Sequence, residues 1–142
     1  MAVAFCSCYC AAMSTVIVTQ NTYAYQTMAQ DEDLGTAGGT TATKSLVVAG
    51  AQSVKVVEVD NTANTSAASY VKVFNAATTG AVTLGSTAPT AILYAPMGEK
   101  VCYTVPAGMA FSAGVVWTCV TTPGTAGTAP PGSKVVARLF YG

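Results

Sequence analysis

Short runs of β-branched and aromatic residues recur along the second half of the chain, each cut off by Gly, Pro, Asn or a Ser/Thr cluster. They are Tyr70–Ala76, Ala91–Ala95, Val101–Val105, Met109–Ser112 continuing through Gly114 into Val115–Thr121, and Lys134–Tyr141. In Tyr70–Ala76, Val71 and Val73 take one face and Tyr70, Lys72 and Phe74 the other, the period of two of a strand. Pro96-Met97-Gly98-Glu99 and Pro106-Ala107-Gly108 read as turns between such runs. Upstream, Leu46-Val47-Val48 and Val54–Asp60 read as two more strands. Glu58 and Asp60 continue the face of Val56, so the alternation reverses around Val57, which predicts a bulge or a strand covered on both sides. Thr15–Thr19 reads as a first strand, and Trp117 as the large core anchor. No window has convincing helical periodicity, so the pattern predicts an all-β, antiparallel sheet assembly. At 142 residues it forms one domain over residues 14–142, preceded by an extended N-terminal arm, residues 1–13.

The gaps between runs are long and polar. Leu34–Thr43 is rich in Gly and Thr and reads as a flexible loop or turn. Asn61–Ser69 is a turn cluster, and its Asn64-Thr65-Ser66 glycosylation pattern is a chance match without a convincing signal peptide. Ala77–Thr90 and Thr122–Ser133 are long loops, the second with three Pro and three Gly, which excludes helix and central strand. Asp31-Glu32-Asp33 lacks the spacing of a calcium loop and reads as a solvated apex. The Tyr pair Tyr23 and Tyr25 reads as packing, with an interface role for the phenols as the alternative.

Composition narrows the chemistry. Charged residues are only 8% of the chain, six basic against six acidic, for a formal net charge of zero. Free soluble domains usually carry far more charge. A surface of Thr, Ser, Ala and Gly suits a subunit packed against copies of itself or another protein, because such side chains lose little entropy on burial. There is no His, which removes the commonest general base and metal ligand. No nucleophile elbow, phosphate-binding loop or dinucleotide fingerprint occurs. Glu58 and Asp60 share a strand face, but their only further acidic partner, Glu99, is distant. No catalytic, cofactor-binding or metal-binding residues are assigned, and no enzyme is expected. The lack of Lys/Arg clusters argues against nucleic acid, and no apolar stretch approaches the roughly 20 residues of a membrane helix.

Cys6, Cys8 and Cys10 alternate in the arm with spacing unlike a zinc site. Cys102 and Cys119 pair only if their strands are neighbours, and otherwise read as small buried apolar groups. The arm lacks the basic start of a secretory signal, and Met13 offers a second start.

Four segments carry a resemblance. They are Ser69–Asn75, Leu84–Thr90, Val105–Gly108 with Phe111–Gly114, and the Gly/Thr/Pro loop before Val135–Tyr141. Together they resemble small structural proteins encoded beside the major capsid gene of tailed bacteriophages, including cyanophages. The resemblance covers a little over half the chain, from Asn61 to Gly142. It implies an antiparallel β-sandwich or jelly-roll-like capsid cement (decoration) protein. Such a protein would be a homotrimer binding the major capsid protein on the virion surface. On that expectation the arm and the loops Ala77–Thr90 and Thr122–Ser133 make many of the contacts. A tail or fibre adhesin, a secreted β-sandwich binding module and a main coat protein are the rival expectations.

Overall fold

Eight strands pair in a nested order: first with last, second with seventh, third with sixth, fourth with fifth. In the computed structural model, which describes residues 27–142, they are β1 (Thr27–Asp31), β2 (Ser45–Ala49), β3 (Gln52–Asp60), β4 (Ser69–Asn75), β5 (Ala91–Ala95), β6 (Lys100–Phe111), β7 (Gly114–Val120) and β8 (Val136–Tyr141). All pairings are antiparallel: β1·β8, β2·β7, β3·β6 and β4·β5, with β3·β8 and β4·β7 joining neighbouring pairs. A long double hairpin with its tip between β4 and β5 has therefore rolled up on itself. The result is two four-stranded sheets, β1-β8-β3-β6 (sheet A) and β2-β7-β4-β5 (sheet B). This winding is a jelly-roll sandwich. The strand expected at Thr15–Thr19, Tyr23 and Tyr25, and the cysteines of the arm lie outside the described residues.

Alternation puts one face of each sheet into a shared core. Val54, Val57, Val59, Ala137 and Leu139 from sheet A meet Val71, Val73, Val115, Trp117 and Cys119 from sheet B. Trp117 is buried there as expected. The reversal in β3 is a bulge. Its register against both β6 and β8 shifts between Val54 and Val56, so Val54, Val57 and Val59 all point inward although their numbering does not alternate.

The same bulge corrects the reading of Pro106–Gly108. These residues do not turn between two strands. They swell outward within the single long strand β6, where Val54 pairs with Met109 and Val56 with Thr104. Lys55 Nζ donates to Ala107 O at 3.2 Å across the swelling. Pro106 is tolerated because β6 is an edge strand. The run continuing from Met109 into Val115 is also divided. Ser112 and Ala113 form a corner at which the chain leaves sheet A for sheet B. That corner packs against the opposite crossing at Gly50, whose N–H donates to Ala113 O, and against Asn75, whose Oδ1 accepts from the Ala113 N–H.

The turn cluster Asn61–Ser69 is a buried polar hub. Asn61 Nδ2 donates to Ala95 O and Pro96 O, and Asn61 Oδ1 accepts from Asn64 Nδ2 and Ser69 Oγ. Asn64 also donates to Ser133 O and accepts from the Ser133 N–H. Four chain segments are tied there with their polar groups paired, which is what makes burial of two amides tolerable. The Asn64 amide is buried and committed, so the glycosylation pattern is occupied by the fold.

Leu34–Thr43 is a loop with turns, as its composition predicts, but it is tied to the core. Leu34 enters the core, its N–H bonds Val135 O at 2.9 Å, and the Ala42 N–H bonds Thr128 O at 2.7 Å. Gly35 lies so close to β7 that a Cβ would sit 2.3 Å from Cys119 O, and its φ is +89°. Gly38, in the same loop with φ +77°, has open space around it. Gly38→Ala is expected to cost about 1–2 kcal/mol from backbone strain alone. Gly35→Ala adds the collision and is expected to cost about 3 kcal/mol or more. Urea unfolding of the two variants checks this, and equal losses would contradict the close packing of the loop on β7.

Candidate interaction face

The two sheets differ sharply on their outward sides. The outer face of sheet B is roofed by loops. Phe74 and Val116 project outward and are buried with Ala76 and Val82 under the loop Ala77–Thr90, with Leu84 packed against them. That loop holds a single 3-10 turn, Thr79–Ala81, and returns to the sheet where the Thr90 N–H bonds Val73 O. Beside it, the loop Thr122–Ser133 covers Lys72 and Thr118, which also project outward and are fully buried. The Thr121 N–H bonds Ala129 O, and Pro130 and Pro131 are buried. Gly85 of the first loop lies against Thr128 of the second. The two roofs therefore form one continuous layer.

Two lysines fasten this layer. Lys44 Nζ donates to Val82 O in the first loop. Lys72 Nζ donates to Thr125 O at 3.2 Å and to Gly127 O at 2.5 Å in the second. Lys72 pairs across the sheet with Thr118 and Ile92, and its relative exposure is 0%. A buried ammonium beside carbonyls and no carboxylate is costly to charge, and burial lowers its pKa below the ordinary value. Sequence reasoning places Lys72 on the face opposite Val71 and Val73 correctly, but the signal for its burial is the unusual position of one Lys in an otherwise apolar central strand.

The consequence is a face almost without charge. The strands of sheet B and the loops 77–90 and 122–133 together contain one charged residue, Lys72, and its charge is turned inward. Around the margin stand exposed apolar groups: Leu46 on β2, and Ile92 and Tyr94 on β5 with Met97 beyond it. Tyr94 stacks tilted on Tyr70, with ring centroids 5.5 Å apart. Of the three segments expected to touch a neighbour, the two loops lie on this face. The arm, residues 1–13, lies outside the described residues. Part of each loop is committed to holding the fold, and the rest, including Ala81, Thr83, Ser86, Thr122, Pro123, Gly124 and Ala126, is exposed.

Sheet A carries the ionic groups instead. Asp60 meets Lys100 at 2.8 Å, Arg138 lies 3.8 Å from Glu58, and Arg138 Nε donates to Gln30 Oε1 at 2.6 Å. Burial alone would raise the Asp60 pKa, but bonds from Lys100 and Thr62 and the nearby positive charge hold it below its usual value. Glu58 and Asp60 do share an outward face, each turned toward a cation. The hollow beside them, lined by Asp60, Thr62, Ala63, Lys134 and Val136, holds about 180 Å³, below the roughly 300–1,000 Å³ of small-molecule sites.

The acidic run is only partly solvated: Asp31 Oδ2 accepts from Ser45 Oγ at 2.7 Å and stitches β1 to β2. Cys102 and Cys119 stand on strands of different sheets that do not pair, and no disulfide joins them. Burial pushes the Cys119 thiol up to about 12, so it stays protonated as a small core group. Among the described residues, no helix is long and apolar enough to cross a membrane. Comparisons with protein-family models, curated proteins and solved structures find no match.

Lys72→Met is expected to free the second loop. Two carbonyls lose their donor, at a cost of about 1–3 kcal/mol at neutral pH. The pH dependence has a definite sign. The folded state holds the Lys72 proton less tightly than the unfolded chain, so stability rises as pH climbs from the lowered folded pKa toward the ordinary 10.5. The variant should lack that alkaline rise. Thermal unfolding of both proteins between neutral pH and pH 11 measures it, and parallel curves would contradict the burial of a charged Lys72.

Proposed function

We propose that the protein is a virion structural protein, a capsid cement (decoration) protein that binds the major capsid protein on the outer surface of a phage shell. The charge-free outer face of sheet B carries the reading. Burying a charged surface costs desolvation that pairing only partly returns. A face of Thr, Ala, Gly and Pro backbone with Leu46, Ile92, Tyr94 and Met97 at its margin avoids that cost. Its loops are already ordered by Lys44 and Lys72, so little entropy is lost on docking. The resemblance of Ser69–Asn75 and Leu84–Thr90 to phage shell-associated proteins supports the same reading, since the first is strand β4 and the second belongs to this roof. Jelly-roll sandwiches also occur in lectins and cupins as well as viral shells, so the fold alone selects none of these.

The mechanism requires no bond-making. A rigid subunit straddles junctions between shell proteins and buries apolar area on several at once. Self-association, as a homotrimer, multiplies weak single contacts through effective concentration. Binding only the mature lattice stabilises that lattice by linkage. An adhesin of the tail or fibre is the second reading, favoured by the exposed Tyr94 beside Tyr70.

Shells lacking the protein, incubated with it and pelleted, test the proposal. Wild-type protein should co-sediment, and Ile92→Asp with Tyr94→Asp should weaken binding at least tenfold, whereas Glu32→Gln should not. Because the face lacks charge, affinity should change little between low and moderate salt. Failure to bind shells, together with binding to host-cell glycans, would replace cement with adhesin.

A further inference from the structure

No loop covers the outer face of sheet A among the described residues. Met28 is 46% exposed, Gln30 and Thr104 are exposed, and Val56 and Phe140 are half-buried. The registers set this face in level rows. Met28, Phe140, Val56 and Thr104 form a mainly apolar row across β1, β8, β3 and β6, and Arg138 and Glu58 stand side by side in the next.

The charges of the face alternate in sign from strand to strand. Glu32, just past β1, accepts from Gln30 Nε2 at 3.1 Å. Continuing the register of β1 by one residue sets it level with Asp60 and Lys100. Arg138 lies on β8, Glu58 and Asp60 on β3, and Lys100 on β6. The order β1-β8-β3-β6 therefore reads negative, positive, negative, positive. Four alternating columns are complementary to their own reversal. A two-fold axis along the strands produces that reversal when two such faces meet. It lays β8 of one copy on β3 of the other and β1 on β6, with each row kept level. Arg138 then meets Glu58 of the second copy, Lys100 meets its Glu32, and Phe140 meets its Val56. A two-fold axis across the strands would instead set Arg138 on Arg138 and Glu58 on Glu58, which is repulsive.

We infer that two copies of the chain pair through the outer faces of sheet A, in this one orientation. A second copy matches the face both in the sign of its charges and in the level of its apolar row, and the contact closes after two copies. Four strands about 4.8 Å apart and six residues at about 3.3 Å each give a footprint of roughly 400 Å². Stable complexes bury about 800 Å² from each partner, so the pair is reversible and forms at high concentration. The inference is independent of the proposed function. The charge-free faces of sheet B point away from this contact, and a three-fold unit that pairs in this way would weigh as six chains.

Sedimentation equilibrium of the full-length protein tests it. The mass should double as concentration rises. Arg138→Glu and Glu58→Arg should each weaken pairing about tenfold or more, because each sets like charges opposite one another. An equimolar mixture of the two variants should pair as strongly as the wild type, since each supplies the charge that the other needs. The ion pair within each chain is broken alike in the mixture and alone, so the rescue reports the contact between chains. Met28→Glu, at an exposed position outside the ion pairs, should also weaken pairing. A mass that does not rise with concentration, variants that pair like the wild type, or a mixture that stays apart would each overturn the inference.

Discussion

Two ammonium groups aimed at backbone carbonyls organise the outer half of this molecule. A loop of Gly, Pro, Thr and Ala has no side chains able to pack a core of its own, and its conformational entropy works against order. Lys72 supplies what the loop 122–133 lacks, an interior donor that binds Thr125 and Gly127, and Lys44 does the same for Val82. Charge-assisted bonds are stronger than neutral ones, which offsets part of the cost of burying Lys72. The ordered loops in turn bury Phe74, Val116 and Val82, so the fold gains a second apolar cluster outside the sandwich. Placing the charge inside leaves the outside neutral. Structural need and surface character therefore have one cause.

That arrangement divides the subunit by sheet. Sheet A holds paired ions on its outward side, Asp60 with Lys100 and Arg138 near Glu58. Sheet B shows a neutral, hydrogen-bonded roof with apolar margins. A surface of the second kind gains little from standing alone in water and loses little on being covered. On the proposed function, the neutral side is the one that would meet a neighbour.

Much of the architecture was legible because period-two alternation is a direct consequence of strand geometry. Ala91–Ala95 is a strand with the expected bounds, the face assignment of Val71 and Val73 holds, and the irregularity of β3 shows in the spacing of Val54, Val57 and Val59. β1 was missed. Thr-Met-Ala-Gln-Asp has no strand signature of its own and is made a strand by pairing with β8. Pro106–Gly108 misled because a bulge and a turn use the same residues, and only the partner register tells them apart. Leu34–Thr43 was found as a loop, but composition cannot show that Leu34 reaches the core or that Gly35 is pressed on Cys119. The loops 77–90 and 122–133 were found as loops, but their order depends on Lys44 and Lys72, whose partners lie 38 to 55 residues away. No local pattern encodes a contact at that separation.

Amide hydrogen exchange tests most directly whether the roof of sheet B is rigid. Ala42 and Thr121 donate to carbonyls of the loop 122–133, and Thr90 anchors the other loop to Val73. Their amides should exchange as slowly as those in the middle of β4. Exchange of these three at the rate of an unstructured chain, with β4 still protected, would contradict the account.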